Sequence, residues 1–227
     1  DMIGLHSGYP ARELLPERAV RAALARAARG GAALSRSATT GVPELQAWFA
    51  GELGAVTPAG VTAPASRDVI VVPGSQSGLS STFRALAGPG HPVVMESPTY
   101  WGAILAAAHA GVQMVPVASD AEGPDPDDVA RAFTETGARV FYAQPNFANP
   151  TGAQWSPARR ERVMAAVRKH GAFLIEDDWA RDFGMDSESV PMAAYDDAGH
   201  VVYLRSLTKS VSPAVRVGAV IARGPVR

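Results

Sequence analysis

Short apolar runs rich in β-branched residues recur along the chain from Asp68 onward. Amphipathic stretches such as 126–136 and 157–170 lie between them and have the spacing of helices. This alternation predicts an α/β fold with a mostly parallel sheet. Because the runs are continuously apolar, we expect helices to cover both faces of that sheet. Seven strands are predicted, at 69–72, 93–95, 112–115, 140–142, 173–175, 201–204 and 217–221.

The first part of the chain has a different pattern. Residues 13–29 and 43–53 are predicted helices, and the Gly/Pro/Ala-rich stretch 54–66 is a predicted loop. We therefore predict an N-terminal segment with helices, 1–66, that leads into one large domain, 67–227. The chain begins at Asp1 rather than at Met and ends soon after a strand-like run, so we expect a fragment of a longer protein.

Composition narrows the range of partners. The formal charge of -1 gives no electrostatic basis for binding nucleic acid or an anionic membrane through this chain. No apolar run reaches the length of a membrane-spanning helix. The chain has no cysteine, which excludes disulfides and suits a reducing compartment, so we expect a cytoplasmic protein. The five histidines are scattered without ligand spacing, and no metal site is expected.

Polar residues that could bind a ligand follow the predicted strands, and in parallel sheets ligands bind beyond the carboxyl ends of the strands. After the first run, Gly74 leads Ser75 and Gln76 into a helix, which forms an anion site suited to a phosphate. An ordinary helix cap is the alternative. After the second run stands Tyr100, which either stacks on a flat ligand ring or is a core aromatic.

The next two strands are followed by an amide and by carboxylates. In the block 145–152, two prolines and a glycine fix Asn149 where its amide can donate to a ligand oxygen, although Asn-Pro-Thr-Gly also suits a plain β-turn. Adjacent residues of a strand point to opposite faces, so one of Asp177 and Asp178 should point into the crevice. A buried carboxylate there requires a cation. A protonated pyridine nitrogen is one such cation, and a metal ion is the alternative.

A lysine follows the sixth run. Ser206, Thr208 and Lys209 stand just after it, and Arg216 lies seven residues beyond the lysine. This set could combine a carbonyl-reactive amine with a phosphate clamp, whereas the alternative is a solvated surface lysine. Only two of the 21 Lys and Arg residues are lysines, which gives a lysine in this setting more weight.

Taken together, these blocks resemble the fold-type-I pyridoxal phosphate (PLP) enzymes, the class I/II aminotransferases, in the same order and over essentially the whole chain. Asn-Pro-Thr-Gly at 149–152 and Ser-Leu-Thr-Lys at 206–209, followed by Arg216-Val-Gly, are the specific matches. The resemblance implies the large domain of an aspartate aminotransferase-like PLP-dependent transferase with PLP as cofactor. It implies that Lys209 is the catalytic residue and holds PLP as a Schiff base. It also implies that Asp177 binds the pyridine nitrogen, that Asn149 binds the ring hydroxyl and that Tyr100 stacks on the ring. The residues implied to bind the phosphate are Ser75, Gln76, Ser206, Arg216 and, more weakly, Thr208.

Two positions depart from the family pattern. Arg36 stands where members usually have a tyrosine that reaches the phosphate of the partner subunit, and an arginine can also bind a phosphate. Trp179 stands near the place of a tyrosine that touches the ring hydroxyl, and it keeps an N–H donor for the cofactor but no phenol. The resemblance also implies a homodimer, and a substrate-binding small domain that is absent from this chain.

Two functions fit this scaffold. The segment Glu176-Asp177-Asp178-Trp179 resembles the Glu-Asp-Asp-Tyr block of MocR-type regulators of the GntR family, in which an aminotransferase-like domain senses PLP or a small amino compound. Such a protein binds DNA only through a winged helix-turn-helix domain, which this chain lacks. The block 145–152 resembles catalytic aminotransferases of the kynurenine/aminoadipate-like subgroup, which transfer an amino group between an amino acid and a 2-oxo acid. The segment 176–179 leads us to favour the regulator slightly, and only slightly, because fold alone does not determine function.

Overall fold

The computed structural model describes residues 8–184 and 189–227, so His6 and the beginning of the predicted segment 1–66 lie outside the described residues. The helices are α1 (Glu17–Arg29), α2 (Pro43–Gly54), α3 (Ser75–Leu86), α4 (Trp101–Ala110), α5 (Pro126–Thr136) and α6 (Pro157–Lys169). The strands are β1 (Val69–Val72), β2 (Pro92–Ser97), β3 (Gln113–Asp120), β4 (Gly123–Pro124), β5 (Val140–Ala143), β6 (Phe173–Asp178), β7 (Val201–Ser206) and β8 (Gly218–Ala222).

The strands of the described residues form one sheet in the order β1-β8-β7-β6-β5-β2-β3-β4. The pairs that link β7, β6, β5, β2 and β3 are parallel, whereas β8 is antiparallel to both of its neighbours. The α/β fold class with a mostly parallel sheet is therefore confirmed. All seven predicted strands are present, and the eighth, β4, escaped prediction because its two residues, Gly123 and Pro124, carry no apolar pattern.

Helices cover both faces of the sheet, as the continuous apolar runs indicated. One face packs on α3 and α4 through Leu79, Phe83 and several alanines. The other packs on α2, α5 and α6 through Phe49, Phe133 and Val163, among others. Along β6, Leu174 belongs to the second cluster and Ile175 to the first. Because side chains alternate along a strand, Asp177 lies on the α3/α4 face and its two neighbours lie on the opposite face.

The N-terminal helix is shorter than predicted. Pro16 disfavours the helical conformation of Leu15, so α1 begins at Glu17 and a separate 3-10 turn covers Arg12–Leu14. α1 contains no buried residue, whereas α2 buries Phe49 and Leu53 against the sheet. Within the described ranges, no helix has both the length and the apolar character needed to cross a membrane.

Candidate functional site

A cavity of about 400 Å³ lies beyond the carboxyl ends of the parallel strands. Every residue predicted to bind the cofactor lines it, although the residues come from five separate blocks of sequence. They are Ser75, Gln76, Tyr100, Asn149, Asp177, Trp179, Ser206, Thr208, Lys209 and Arg216. Arg36 is exposed and is not among the lining residues.

Asp177 is a buried polar residue of the cavity lining and is 4% exposed. Its Oδ2 accepts hydrogen bonds from the Tyr142 hydroxyl at 2.8 Å and from Gln144 Nε2 at 3.1 Å. Its Oδ1 is buried and has no partner among the described residues. Burial raises the pKa of Asp177, while these two hydrogen bonds and the charge of Lys209 oppose the rise. A buried carboxylate with one free oxygen can bind a cationic donor.

Lys209 lines the same cavity and lies in the turn that follows β7. Its Nζ donates to the Gly8 carbonyl at 2.6 Å and lies 3.9 Å from the centre of the Tyr9 ring. Burial and then the nearby charge of Arg216 lower the pKa of the Lys209 amine, against the attraction of Asp177. A lowered pKa increases the fraction of neutral amine, which is the form that attacks a carbonyl carbon.

The anion-binding wall is built where α3 begins. Gly74 precedes the helix with φ of 85°, and a Cβ at this position would lie 2.5 Å from Arg216 Nη2. The glycine thus lets the guanidinium approach the backbone N–H groups of the first helical turn. Arg216 itself has φ of 50°, an uncommon and strained value for a residue with a side chain. Helix N–H groups and a guanidinium together form a site suited to a phosphate.

Hydroxyl groups complete this wall. The Thr208 backbone N–H donates to Ser206 Oγ at 3.2 Å, which fixes the turn between β7 and Lys209. Thr208 Oγ1 is buried and has no hydrogen-bond partner among the described residues. A buried hydroxyl without a partner is uncommon, so Thr208 provides a polar group that is free among the described residues, at the edge of the anion site.

Tyr100 forms a third wall, and its position depends on a glycine. A Cβ at Gly102 would lie 2.3 Å from Cε1 of the Tyr100 ring, so the ring occupies the space that a side chain at position 102 would need. Gln76 Nε2 donates to the Gly102 carbonyl at 2.6 Å and so connects this wall to the start of α3. Tyr100 also packs against the buried cluster of the α3/α4 face, so it is both a core aromatic and a cavity residue.

The loop 145–152 brings Asn149 to the cavity through two contacts. The Asn149 backbone N–H donates to Gln144 Oε1 at 2.8 Å. Trp179 Nε1 donates to the carbonyl of Phe147 at 3.1 Å, in the same loop. The indole N–H that was expected to serve the cofactor is therefore engaged by the protein, and Trp179 holds the Asn149 loop while its ring lines the cavity.

Several residues that line the cavity were not predicted from the sequence, including Gln144, Gly8 and Tyr9. Gln144 had a signal, because it lies two residues after the predicted strand 140–142. Gly8 and Tyr9 had none, since they lie about two hundred residues from Lys209 in sequence. Over the ranges that the structure describes, no group of three or more His, Asp and Glu side chains is arranged to hold a metal ion.

The chain is similar to known proteins in both sequence and fold. The family model of class I and II aminotransferases matches residues 1–227. A 2-aminoadipate transaminase of Thermus thermophilus is 32% identical over 97% of this chain and 55% of its own length. The probable rhizopine catabolism regulatory protein MocR of Rhizobium meliloti is 30% identical over 97% of this chain and 44% of its own length.

A solved structure is also similar. The α-aminoadipate aminotransferase LysN of Thermus thermophilus, complexed with N-(5'-phosphopyridoxyl)-L-leucine, superposes with a TM-score of 0.80 at 32% identity, covering 96% of this chain and 55% of that one. The chain thus spans about half the length of the relatives that it matches. On the strength of the full-length family match, this chain belongs to the class I and II aminotransferase family.

Proposed function

We propose that this chain is a PLP-binding domain in which the Lys209 amine holds the cofactor covalently. The observation that carries the proposal is the free Oδ1 of Asp177, buried in the same cavity as Lys209 and the anion site at the start of α3. PLP combines an aldehyde, a basic ring nitrogen and a phosphate. The cavity offers an amine, a carboxylate acceptor and an anion site on separate walls, so the residues present fit this cofactor.

Each wall has a distinct task in this proposal. Asp177 would keep a proton on the ring nitrogen, Tyr100 would pack on the ring and Asn149 would bind the ring hydroxyl. The residues that would hold the phosphate are Ser75, Gln76, Ser206, Thr208 and Arg216. When bound, PLP supplies a carbonyl carbon for an amine and an electron-withdrawing ring that acidifies the α-carbon of an attached amino compound. The Lys209 amine, which lines the same cavity, would be the group that accepts or returns that proton.

Within this proposal we favour a domain that senses an effector in a MocR-type regulator of the GntR family. A regulator relative that covers nearly the whole chain supports it, as does the Glu-Asp-Asp-Trp segment at 176–179. The proposed effector is a small amino compound. The proposal includes a cytoplasmic homodimer, and DNA binding only through a domain outside this chain.

The alternative is a catalytic aminotransferase that transfers an amino group between an amino acid and a 2-oxo acid. The transaminase relative, which covers the same share of this chain, supports it. The lowered pKa of Lys209 suits both roles, because a neutral amine is the form that attacks a carbonyl carbon.

Cofactor binding is tested by titrating the chain with PLP and recording the visible absorption of the adduct. The chain offers a matched control, because its only other lysine, Lys169, is exposed at the end of α6. Lys209→Ala should lose the adduct band, whereas Lys169→Ala should keep it. A band that survives in Lys209→Ala, or that depends on Lys169, would refute the assignment.

The two roles are separated with the protein as encoded in full by its gene. A regulator should bind its operator DNA with an affinity that changes on addition of PLP or an amino compound, and should show no sustained turnover. An aminotransferase should convert amino acid and 2-oxo acid pairs through many cycles, and Lys209→Ala should abolish this conversion. Many cycles of turnover without DNA binding would overturn the regulator proposal.

A further inference from the structure

The largest fully buried side chain of the described residues is an arginine outside the cavity. Arg205 is 1% exposed, lies on β7 and precedes the turn that carries Lys209. Its neighbour Leu204 packs on the α3/α4 face, so Arg205 points to the opposite face of the sheet. A fully buried arginine is rare unless it is paired, and Arg205 is absent from the cavity lining.

Arg205 binds three different segments at once. It forms a bidentate pair with Glu52 of α2, through Nη2 to Oε1 at 2.7 Å and Nε to Oε2 at 3.1 Å. Its Nη2 also donates to Asp182 Oδ1 at 2.7 Å, and its Nη1 donates to the Ser206 carbonyl at 2.6 Å. The planar guanidinium can make these contacts simultaneously, which a lysine ammonium at the same place could not reproduce.

Two of these contacts lead directly to the cavity. Ser206 is a cavity residue and lies three positions before Lys209. Asp182 lies three positions after Trp179, whose indole N–H holds the Asn149 loop. The third contact, to Glu52, anchors the guanidinium to α2, which packs on the sheet through Phe49 and Leu53.

We propose that Arg205 is a positioning residue that fixes the Ser206–Lys209 turn and the Trp179 loop relative to each other. The inference rests on the proposed function, since it assigns the support of the proposed cofactor site. Arg205 contacts the cavity only through other residues. It holds the hydroxyls of the Ser206–Lys209 turn, the Lys209 amine and the Asn149 loop at the distances from each other that a single ligand requires. Small displacements of such groups weaken ligand binding strongly.

The test compares Arg205→Met, which keeps much of the volume and removes the charge, with Arg205→Lys and Asp182→Asn. The control is Arg159→Met, which removes an arginine that is only partly buried and is paired with Asp120 at 2.8 Å at the far edge of the sheet. We expect Arg205→Met to raise the PLP dissociation constant at least about tenfold and to change the visible circular dichroism of the adduct. Arg205→Lys should recover part of the affinity, Asp182→Asn should reproduce part of the loss, and Arg159→Met should match the unmodified chain.

A second readout needs no cofactor. Amide hydrogen exchange should become faster in Arg205→Met at 206–211 and 179–183, while the exchange of β5 stays unchanged. If Arg205→Met does not fold, hydrogen exchange of the same two segments in Arg205→Lys and Asp182→Asn tests the positioning role instead. Unchanged exchange in both segments would overturn the positioning role, as would PLP affinity that matches the control. If the unmodified chain binds no PLP, the proposed function fails, and the exchange measurement still decides whether Arg205 organises these segments.

Discussion

Two adjacent carboxylates on β6 show how the two faces of this sheet differ. Glu176 is fully buried against the face covered by α2, and both of its oxygens accept backbone N–H groups, from Met192 at 2.8 Å and Ala193 at 2.9 Å. Asp177 is buried on the other face, and one of its oxygens has no partner among the described residues. A satisfied carboxylate serves the fold, whereas a carboxylate with a free oxygen at a cavity is available to a ligand.

The largest expected effect comes from Asp177→Asn. The asparagine oxygen can still accept from Tyr142 and Gln144, so we expect the free energy of unfolding to change by less than about 1 kcal/mol. Its NH2 group would face the protonated ring nitrogen, and loss of a buried ion pair should weaken PLP binding about 100-fold or more. A PLP titration and urea unfolding of the same variant measure both quantities. If Asp177→Asn binds PLP as tightly as the unmodified chain, Asp177 does not bind the ligand, and its proposed difference from Glu176 is wrong.

The next effect is a pH dependence of stability that belongs to Glu176. Burial, and secondarily the charge of Asp178, raises the pKa of Glu176 from 4.5 to about 7. The unfolded chain therefore ionises first as the pH rises, and stability should fall between about pH 4.5 and pH 7. The upper limit of this loss is about 3.5 kcal/mol, from about 1.4 kcal/mol per unit of pKa.

This pH dependence is measured as the difference in unfolding free energy between the unmodified chain and Glu176→Gln across that range. Taking the difference is necessary because Asp178, whose pKa is raised to about 6, mainly by burial, contributes in the same direction. A difference that stays constant from pH 4.5 to pH 7 would contradict the assignment to Glu176.

At a fixed neutral pH, Glu176→Gln should act on the fold and spare the ligand. Its NH2 group would face one of the two backbone N–H donors, so we expect a loss of about 2 kcal/mol in the free energy of unfolding. PLP affinity should stay within about twofold of the unmodified chain, because Glu176 points away from the cavity. Weakened PLP binding without lost stability would reverse the roles given to Glu176 and Asp177.

The smallest effect is expected for Trp179→Phe, which tests a residue that belongs to both the fold and the cavity. The variant keeps an aromatic ring but leaves the Phe147 carbonyl without its indole donor, at a cost of about 1 kcal/mol. PLP affinity should fall a few-fold, since the Asn149 loop loses one support. Urea unfolding measures the change in stability, and a PLP titration measures the change in affinity. A loss of affinity as large as that of Asp177→Asn would mean that Trp179 contacts the cofactor directly.

The sequence predicted the fold and most of the cavity for one physical reason. Every chosen residue except Arg216 follows an apolar run. Because the carboxyl ends of parallel strands meet at one edge, Asn149, Asp177 and Lys209 had to converge. The alternation of side chains along β6 also predicted that neighbouring carboxylates would point to opposite faces of the sheet. It did not indicate which of Asp177 and Asp178 would face the cavity, because that choice depends on the register of β6 between its neighbours.

Other features had no local signal. Tyr9 reaches Lys209 across nearly the whole sequence, and Arg205 pairs with Glu52, 153 residues away. An arginine after an apolar run is usually solvated, so only the assembled fold identifies Arg205 as buried and paired. The engagement of the Trp179 indole by Phe147 likewise depends on loop geometry, which residue types alone do not specify.

The central claim is that Lys209, opposite Asp177, carries the cofactor. It is tested most directly by mixing the chain with PLP, reducing the adduct with borohydride and locating the added mass by peptide mapping. Because Lys209 and Lys169 are the only lysines, two peptides account for every lysine side chain. We predict stoichiometric modification of the peptide that contains Lys209, and modification of Lys169 alone, or of neither lysine, would contradict the claim.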